Sequence, residues 1–581
     1  MESIGKAALW LLGPETLDAR HPGHLLARWI FLRCLGLIYF SAFYSFLFQI
    51  KGLIGPQGIL PAGQYLAAVP RVYPGLARFW FAPTLFWFSS SNHALMAVCW
   101  VGLLASLVLT VNLWPRGMLV VCFVCFLSFI AAAQDFSSYQ SDGMLLEAGF
   151  ISLFFAPPGF LPKLGIAHPP SRASLFLLRW EWFRIYFQSG VVKLASGDYS
   201  WRHFTAMDDY YQNSPLPTWI GWYVQHLPHW FHAGTVAFTF VAELGLCFLM
   251  FFPRRWKIVC FCIVTPFQIG IILTANYTFL NYLVLCLGFL LLDDRLFHWL
   301  LPQRWKHLAP ISEAQPVAAI AEAQPATAIL AADGESAGHP KSKPLAESER
   351  AIPRPRFGFL RWLKPAKLTL AGISLGAVFY VTSLEMLALF TRGYPLPAAP
   401  VRWLEPFRIA NQYGLFAVMT HERYEIEFQG STDGVNWKAY PFRYKPQDVM
   451  EPPGIYAPYQ PRFDWNLWFA SLESWRQNTW VVETEERLLR NNHDVLALFA
   501  GNPFAAAPPR QVRVVVWQYW FTTMAEKRAT GAWWNLKLLG PYAPSLELTP
   551  DGHVVISALR PSPQKDDSQA AREAGLRCGE C

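Results

Sequence analysis

The chain has 581 residues, of which 53% are apolar, 16% aromatic and only 15% charged, with a formal net charge of +8. Soluble domains carry about 25% charged residues, so a soluble globular protein is excluded and a polytopic membrane protein is expected. The positive balance follows from lysine and arginine in cytoplasmic loops and calls for no nucleic-acid partner.

Residues 1–26 read as a cytoplasmic N-terminus containing Glu2, Glu15 and Asp18. The apolar run that follows is too long and too aromatic for a cleaved signal segment, so it stays as an anchor. Runs of about 17 to 25 apolar residues can span a bilayer. Nine are read, at 27–48, 94–114, 117–133, 144–160, 174–193, 233–252, 257–275, 277–292 and 369–390. The first eight make a main transmembrane bundle at 27–292. Charged residues sit inside several of them: Arg33, Glu147, Arg179, Glu181, Arg184 and Glu243. Ionised groups at membrane depth are costly, which makes this stretch the first place to look for function.

With the N-terminus inside, Arg116, then Lys163 and Arg172, then Arg254, Arg255 and Lys257 fall in inner loops, whereas 134–143 and 275–276 hold no lysine or arginine. An odd number of spans then puts the C-terminal domain outside. Residues 293–368 form a cytoplasmic segment. Within it, 309–356 repeats EAQP in a mixture of Ala, Pro, Glu and Ser with few large apolar residues, and reads as a disordered linker.

From 395 to 545 the texture changes to a β-rich domain. Tyr424, Ile426 and Phe428 alternate with Glu425 and Glu427, the period of a half-buried strand, and further strands are read at 511–521 and 534–539. A helix is read from Thr484, as N-cap, to Ala500, before Gly501, Asn502 and Pro503. The fold class is thus a polytopic α-helical membrane protein of about nine spans with a C-terminal extracytoplasmic, sandwich-like β domain and a flexible tail at 546–581. Eight cysteines lie in expected spans, where Cys acts as a small apolar side chain. Cys578 and Cys581 form a CxxC in the polar tail, either incidental or a reactive pair.

Three constellations could carry chemistry. Glu181 and Arg184 stand at i and i+3 on one helix, where they can pair, with Glu147 on the preceding one. Lys193 ends the same helix, followed by Asp198, Trp201 and Arg202; it either snorkels to the interface or serves as a general base. In PRFDW, Arg462 and Asp464 lie two apart on an extended segment, so they can pair with each other or brace Trp465. His226, His229 and His232 lack the Cys or carboxylate set of a metal site, so no metal and no cofactor are expected.

Long phrases carry a resemblance. QSDGMLLEAGF at 140–150, FRIYFQSGVVKLASGDYSWRHFTAMDDYYQNSPLPTW at 183–219, ELGLCFLMFFP at 243–253, YQPRFDWNLWFASL at 459–472 and LALFAGNPF at 496–504 resemble the lipase maturation factor family. Its vertebrate members are endoplasmic-reticulum membrane proteins needed for folding and assembly of secreted lipases, with the C-terminal region in the lumen. The resemblance therefore implies a membrane-anchored, non-catalytic maturation factor whose partners are the lipid bilayer and an exported client protein such as a lipase. High alanine content and compact loops suggest a bacterial member in the inner membrane. GVVKLASGDYSWR is also similar to the segment around the catalytic lysine of vitamin K-dependent carboxylases, which would make Lys193 a base in an intramembrane cavity. A structural subunit of a membrane complex is the third reading.

Overall fold

The computed structural model of the chain describes residues 11–13, 23–137, 139–308, 359–391 and 393–557. The linker at 309–356, most of segment 1–26 and the pair Cys578 and Cys581 lie outside the described residues.

Helices stand at all nine positions where hydropathy places a span: α1 Leu25–Ile54, α2 Asn92–Thr110, α3 Pro115–Ile130, α4 Gln140–Phe155, α5 Arg172–Ala195, α6 His229–Leu244, α7 Arg254–Thr274, α8 Leu280–Gly288 and α9 Phe359–Thr391. Five have the length and apolarity of a membrane crossing among the described residues: α1, α2, α6 continued to Phe251, α7, and α9 from Ala366. α3 and Leu280–Leu291 are apolar but shorter. α4 and α5 carry the charges instead. They can do so because they face protein: α4 is buried at twelve of its sixteen positions, and α5 packs against α4, α6, α8 and α9.

One end of the bundle is tied by polar contacts between loops. Asp294 accepts the backbone N–H groups of Leu25 and Leu26 at 2.8 Å each. Arg28 donates to the carbonyls of His168 and Leu164 at 2.7 and 2.8 Å, and Arg254 pairs with Asp293. These are the loops that alternating crossings bring together. The opposite end carries the C-terminal domain.

That domain is built on one antiparallel sheet of β1 Arg423–Ser431, β2 Lys438–Ala439, β3 Gln511–Phe521, β4 Trp534–Pro541, β5 Leu546–Leu548 and β6 Val554–Ile556. Its order is β2-β1-β3-β5-β6, with β4 also on β3. β1 and β3 pair along their length, from Arg423 opposite Tyr519 to Ser431 opposite Gln511. A sandwich needs two sheets, and the described residues of the domain form a single one. Two helices close the Ile426 and Phe428 face in place of a second: α10 Arg462–Ser471 and α11 Trp480–Leu489, through Phe463 stacked on Phe428 and edge-on to Trp480. Alternation reports that one face is covered, not by what.

Two local readings change with it. α11 starts at Trp480, and Thr484 lies inside it, its hydroxyl donating to the Trp480 carbonyl at 2.8 Å. The helix also stops early, because Asn492 caps a separate turn, His493–Leu496, by accepting from the Val495 N–H. PRFDW opens α10 rather than an extended strand, so Arg462 and Asp464 point apart and do not pair.

The apolar core runs without a break from bundle to domain, where Phe136 meets Trp480 at 5.3 Å between ring centroids. Inside this junction Arg462 donates to both Asp142 oxygens, at 2.8 and 2.7 Å, and to the Phe136 carbonyl at 2.8 Å. Its guanidinium lies over the Phe46 ring at 4.3 Å, and both charged side chains are 0% exposed. Removing one member strands the other, a loss of about 3 to 5 kcal/mol. Arg462→Ala should therefore loosen the domain from the bundle, read as faster proteolysis after residue 395 and a lower melting temperature in detergent. Arg462→Met with Asp142→Leu should recover most of that loss; equal damage in the single and double variants would count against the pair as the tie.

Candidate functional site

Residues 411–420 leave α9's end of the chain as a strap that makes few hydrogen bonds to itself. Its backbone groups are taken one by one by side chains of the membrane part. Glu147 Oε2 accepts the Asn411 N–H at 3.0 Å while Arg184 donates to the Asn411 carbonyl at 2.7 Å. Gln188 Oε1 accepts from Tyr413 N and Gln140 Oε1 from Gly414 N, both at 2.9 Å. Trp201 Nε1 donates to the Phe416 carbonyl at 2.8 Å, Asp198 Oδ2 accepts from Met419 N at 3.1 Å, and Asn213 donates to the Thr420 carbonyl at 2.7 Å. Gly143 has to lack a side chain, since a Cβ there would lie 2.6 Å from Asn411 Oδ1. A buried polar group costs little only when partnered, and here the strap and the helices satisfy each other.

Beyond the strap, Arg423 at the start of β1 donates to the carbonyls of Gln212, Ser214 and Pro215 at 3.0, 2.5 and 3.1 Å. Asn276, between α7 and α8, accepts from Tyr456 N at 2.7 Å and Ala457 N at 3.1 Å and donates to the Gly454 carbonyl at 2.9 Å. The domain is thereby held at several points around the end of the bundle.

Beneath the strap lies a cavity of about 270 Å³ between α5, α6, α7 and α8, roofed by Tyr413, Leu415 and Phe416. Lys193 forms part of its wall. Its Nζ donates to both oxygens of Glu243 at 2.8 Å, 5.1 Å from the Trp201 ring centre, and the residue is 3% exposed. The snorkelling alternative is thus corrected: α6 supplies an acid, and the lysine turns inward to meet it. The close approach depends on Gly190, where a Cβ would lie 2.6 Å from Leu244 and 3.0 Å from Glu243. Small residues at helix contacts allow such approaches in membranes.

Two family models match this chain, one described as the lipase maturation factor transmembrane domain over residues 26–299 and one as its C-terminal domain over 409–544. Lipase maturation factor 1 of Mus musculus is 30% identical over 554 residues, covering 92% of this chain and 90% of the relative. Lipase maturation factor 2 of Gallus gallus is 31% identical, covering 90% and 81%, and lipase maturation factor 1 of Homo sapiens is 29% identical, covering 92% and 91%. The chain belongs to the lipase maturation factor family. No solved structure matches it.

In this family member the residues singled out from sequence separate into three groups. Glu147, Arg184, Asp198 and Trp201 hold the strap, Lys193 lines the cavity, and Arg462 ties domain to bundle while Asp464 binds within the domain. Arg184 does not pair with Glu181, because it faces α4 and Glu147. Glu181 is fully buried, and its two oxygens have no hydrogen-bond partner among the described residues. Arg202 is exposed and joins neither strap nor cavity wall. Trp465 is buried against Tyr277 and Tyr139, 6.1 and 6.4 Å between ring centroids. Of the three histidines, His226 sits between the carbonyls of Trp222 and Thr522 at 2.7 and 2.9 Å and His229 meets Asp208 at 3.0 Å. No cluster of three metal-ligating side chains occurs among the described residues.

Sequence reasoning missed Asp142, Gln188, Asn276 and Asn411 as partners. The available signal was their polarity beside apolar runs, QSDG at the start of α4, QSG inside α5, NYT between α7 and α8 and NQY at the start of the strap.

Asp464 accepts the N–H groups of Tyr444 and Lys445, both at 3.3 Å. Burial pushes its carboxyl from 3.8 up to about 6, against the opposing pull of Lys445 and these N–H groups. Since the folded value lies above the unfolded one, the stabilisation is complete below pH about 4 and is lost as pH rises through about 6. Relative to Asp464→Asn, the wild-type domain should lose on the order of 3 kcal/mol between those limits, measured as melting temperature across pH 4 to 7. Parallel curves for the two proteins would rule this out.

Proposed function

We propose that this chain is a membrane-anchored maturation factor that assists folding or assembly of exported proteins, lipases among them. Family membership over nine-tenths of the chain supports the lipase client, since its relatives are named lipase maturation factors. One structural observation carries the mechanism. β4 pairs with β3 on one side only, and its other edge meets no strand among the described residues. Leu538 and Leu539 on this strand are each 48% exposed, with Ile556 of β6 exposed as well. An apolar open edge captures extended chain through backbone hydrogen bonds and side-chain contact. The multipoint docking gives that edge a fixed place above the bilayer.

The lysine and arginine distribution supports an extracytoplasmic position for the domain, 395–545, with 1–26 and 293–368 on the cytoplasmic side of a bacterial inner membrane. One labelling experiment tests side and edge together. With Cys578→Ser and Cys581→Ser in the background, Leu538→Cys should react with an impermeant maleimide added outside intact cells, and the adduct should lower yield of active client severalfold. Labelling only after permeabilisation overturns the orientation, and full activity of the labelled protein overturns the edge.

An intramembrane enzyme with Lys193 as base is the second reading, favoured by the position of Lys193 on a cavity wall. A base needs a free lone pair, and this Nζ is held by both Glu243 oxygens. Lys193→Arg should accordingly keep most client maturation. Lys193→Ala leaves Glu243 buried without its partner and should cut the amount of folded protein, a cost of about 3 to 5 kcal/mol. Abundant, well-folded Lys193→Arg protein without activity would favour the enzyme.

A further inference from the structure

The cavity beneath the strap is lined by two buried polar atoms without a hydrogen-bond partner among the described residues, Tyr277 Oη and the end of an amide chain at Asn281. Tyr186 donates its hydroxyl proton to Gln268 Oε1 at 2.8 Å, and Gln268 Nε2 donates to Asn281 Oδ1 at 2.8 Å. The chain runs from the tyrosine hydroxyl through the two amides and ends in a donor, Asn281 Nδ2. That nitrogen is buried and has no partner among the described residues, on a residue only 8% exposed that lines the cavity. A buried donor left unmet is costly, and an acceptor in the cavity would relieve that cost.

Charge and shape narrow the occupant. Lys193 and Glu243 neutralise each other on the same wall, so the site asks for an acceptor without net charge. Elsewhere the lining is largely apolar, with Phe231, Phe267, Ile271 and Phe416. The volume, below the range of about 300 to 1,000 Å³ usual for drug-sized ligands, suits a compact head with the first part of one chain, the rest reaching out between α6 and α7, and not a two-chain phospholipid.

The route of entry is readable from the flanking helices. α6 and α7 both contribute to the lining, and both have the dimensions of membrane crossings. Their outer faces expose Phe238, Val241, Ile269 and Leu273. Gly270 lines the cavity, and a Cβ built on it meets nothing within 4 Å. The wall formed by α6 and α7 is therefore apolar on its outer face, the side where lipid would be.

We propose that the cavity binds a single-chain, uncharged lipid bearing a carbonyl, of the monoacylglycerol class, which enters between α6 and α7. Its carbonyl accepts from Asn281 Nδ2, and its chain lies against Phe267 and Ile271.

The test uses the full chain in nanodiscs and a monoacylglycerol carrying a photoactivatable diazirine in its acyl tail, with adducts mapped by mass spectrometry. Adducts should concentrate on the lining residues of α6 and α7 and be competed by excess monooleoylglycerol. Asn281→Leu should reduce them about five- to tenfold, the equivalent of one hydrogen bond. Gly270→Trp, which touches no polar contact, should reduce them as much by filling the cavity, and it keeps the test valid should Asn281→Leu fail to fold. Labelling spread evenly over lipid-facing helices, or unchanged in folded Gly270→Trp protein, overturns the site. Stronger labelling by the matching fatty-acid probe, which bears a carboxylate, overturns the uncharged class.

Discussion

Burying ionised side chains inside a helical bundle is costly unless they find partners, and here two acids of one helix draw part of their partners from the far end of the chain. Asp142 and Glu147 sit on one helix, α4, within two turns of each other. Arg462 answers the first, and Arg184 with the Asn411 backbone answers the second. The membrane part is thus electrostatically incomplete without the segments from 411 to 462. Because those segments approach as backbone as well as side chain, the same contacts that neutralise charge also fix where the domain stands.

Hydropathy made the helices legible, since each of the nine expected positions falls on a helix and the period-2 run at 424–428 falls on β1. What it could not give was partnership. Asp142 and Arg462 are 320 residues apart, and nothing local to either sequence names the other. Local rules even misled: Glu181 and Arg184 satisfy helical spacing, yet Arg184 turns to the neighbouring helix, and Arg462 and Asp464 satisfy strand spacing on a segment that is helical. Spacing states which contacts are permitted within one element, whereas burial decides which are made.

The same distinction explains Lys193. From sequence its charge stands at the end of an apolar helix, a position equally suited to snorkelling or to catalysis. The deciding residue, Glu243, lies on α6 and was visible only as one more acid in an apolar run. Gly190 lets the two helices come close enough for the pair to form. A lysine, an acid and a glycine from three separate phrases become one arrangement only in three dimensions.

The strap at 411–420 also sets an order of events during synthesis. Its backbone is satisfied by side chains of α4, α5 and the turns after α5, not by a neighbouring strand, so it has nothing to bind until those helices are assembled. Conversely, α4 waits with two acids only partly matched while some 260 further residues are made, the separation between Glu147 and Asn411 being 264. Contacts of such long range close late and slowly. A late-made part of the chain therefore locks an earlier one, and chains stalled before residue 411 leave Asp142 and Glu147 without these partners.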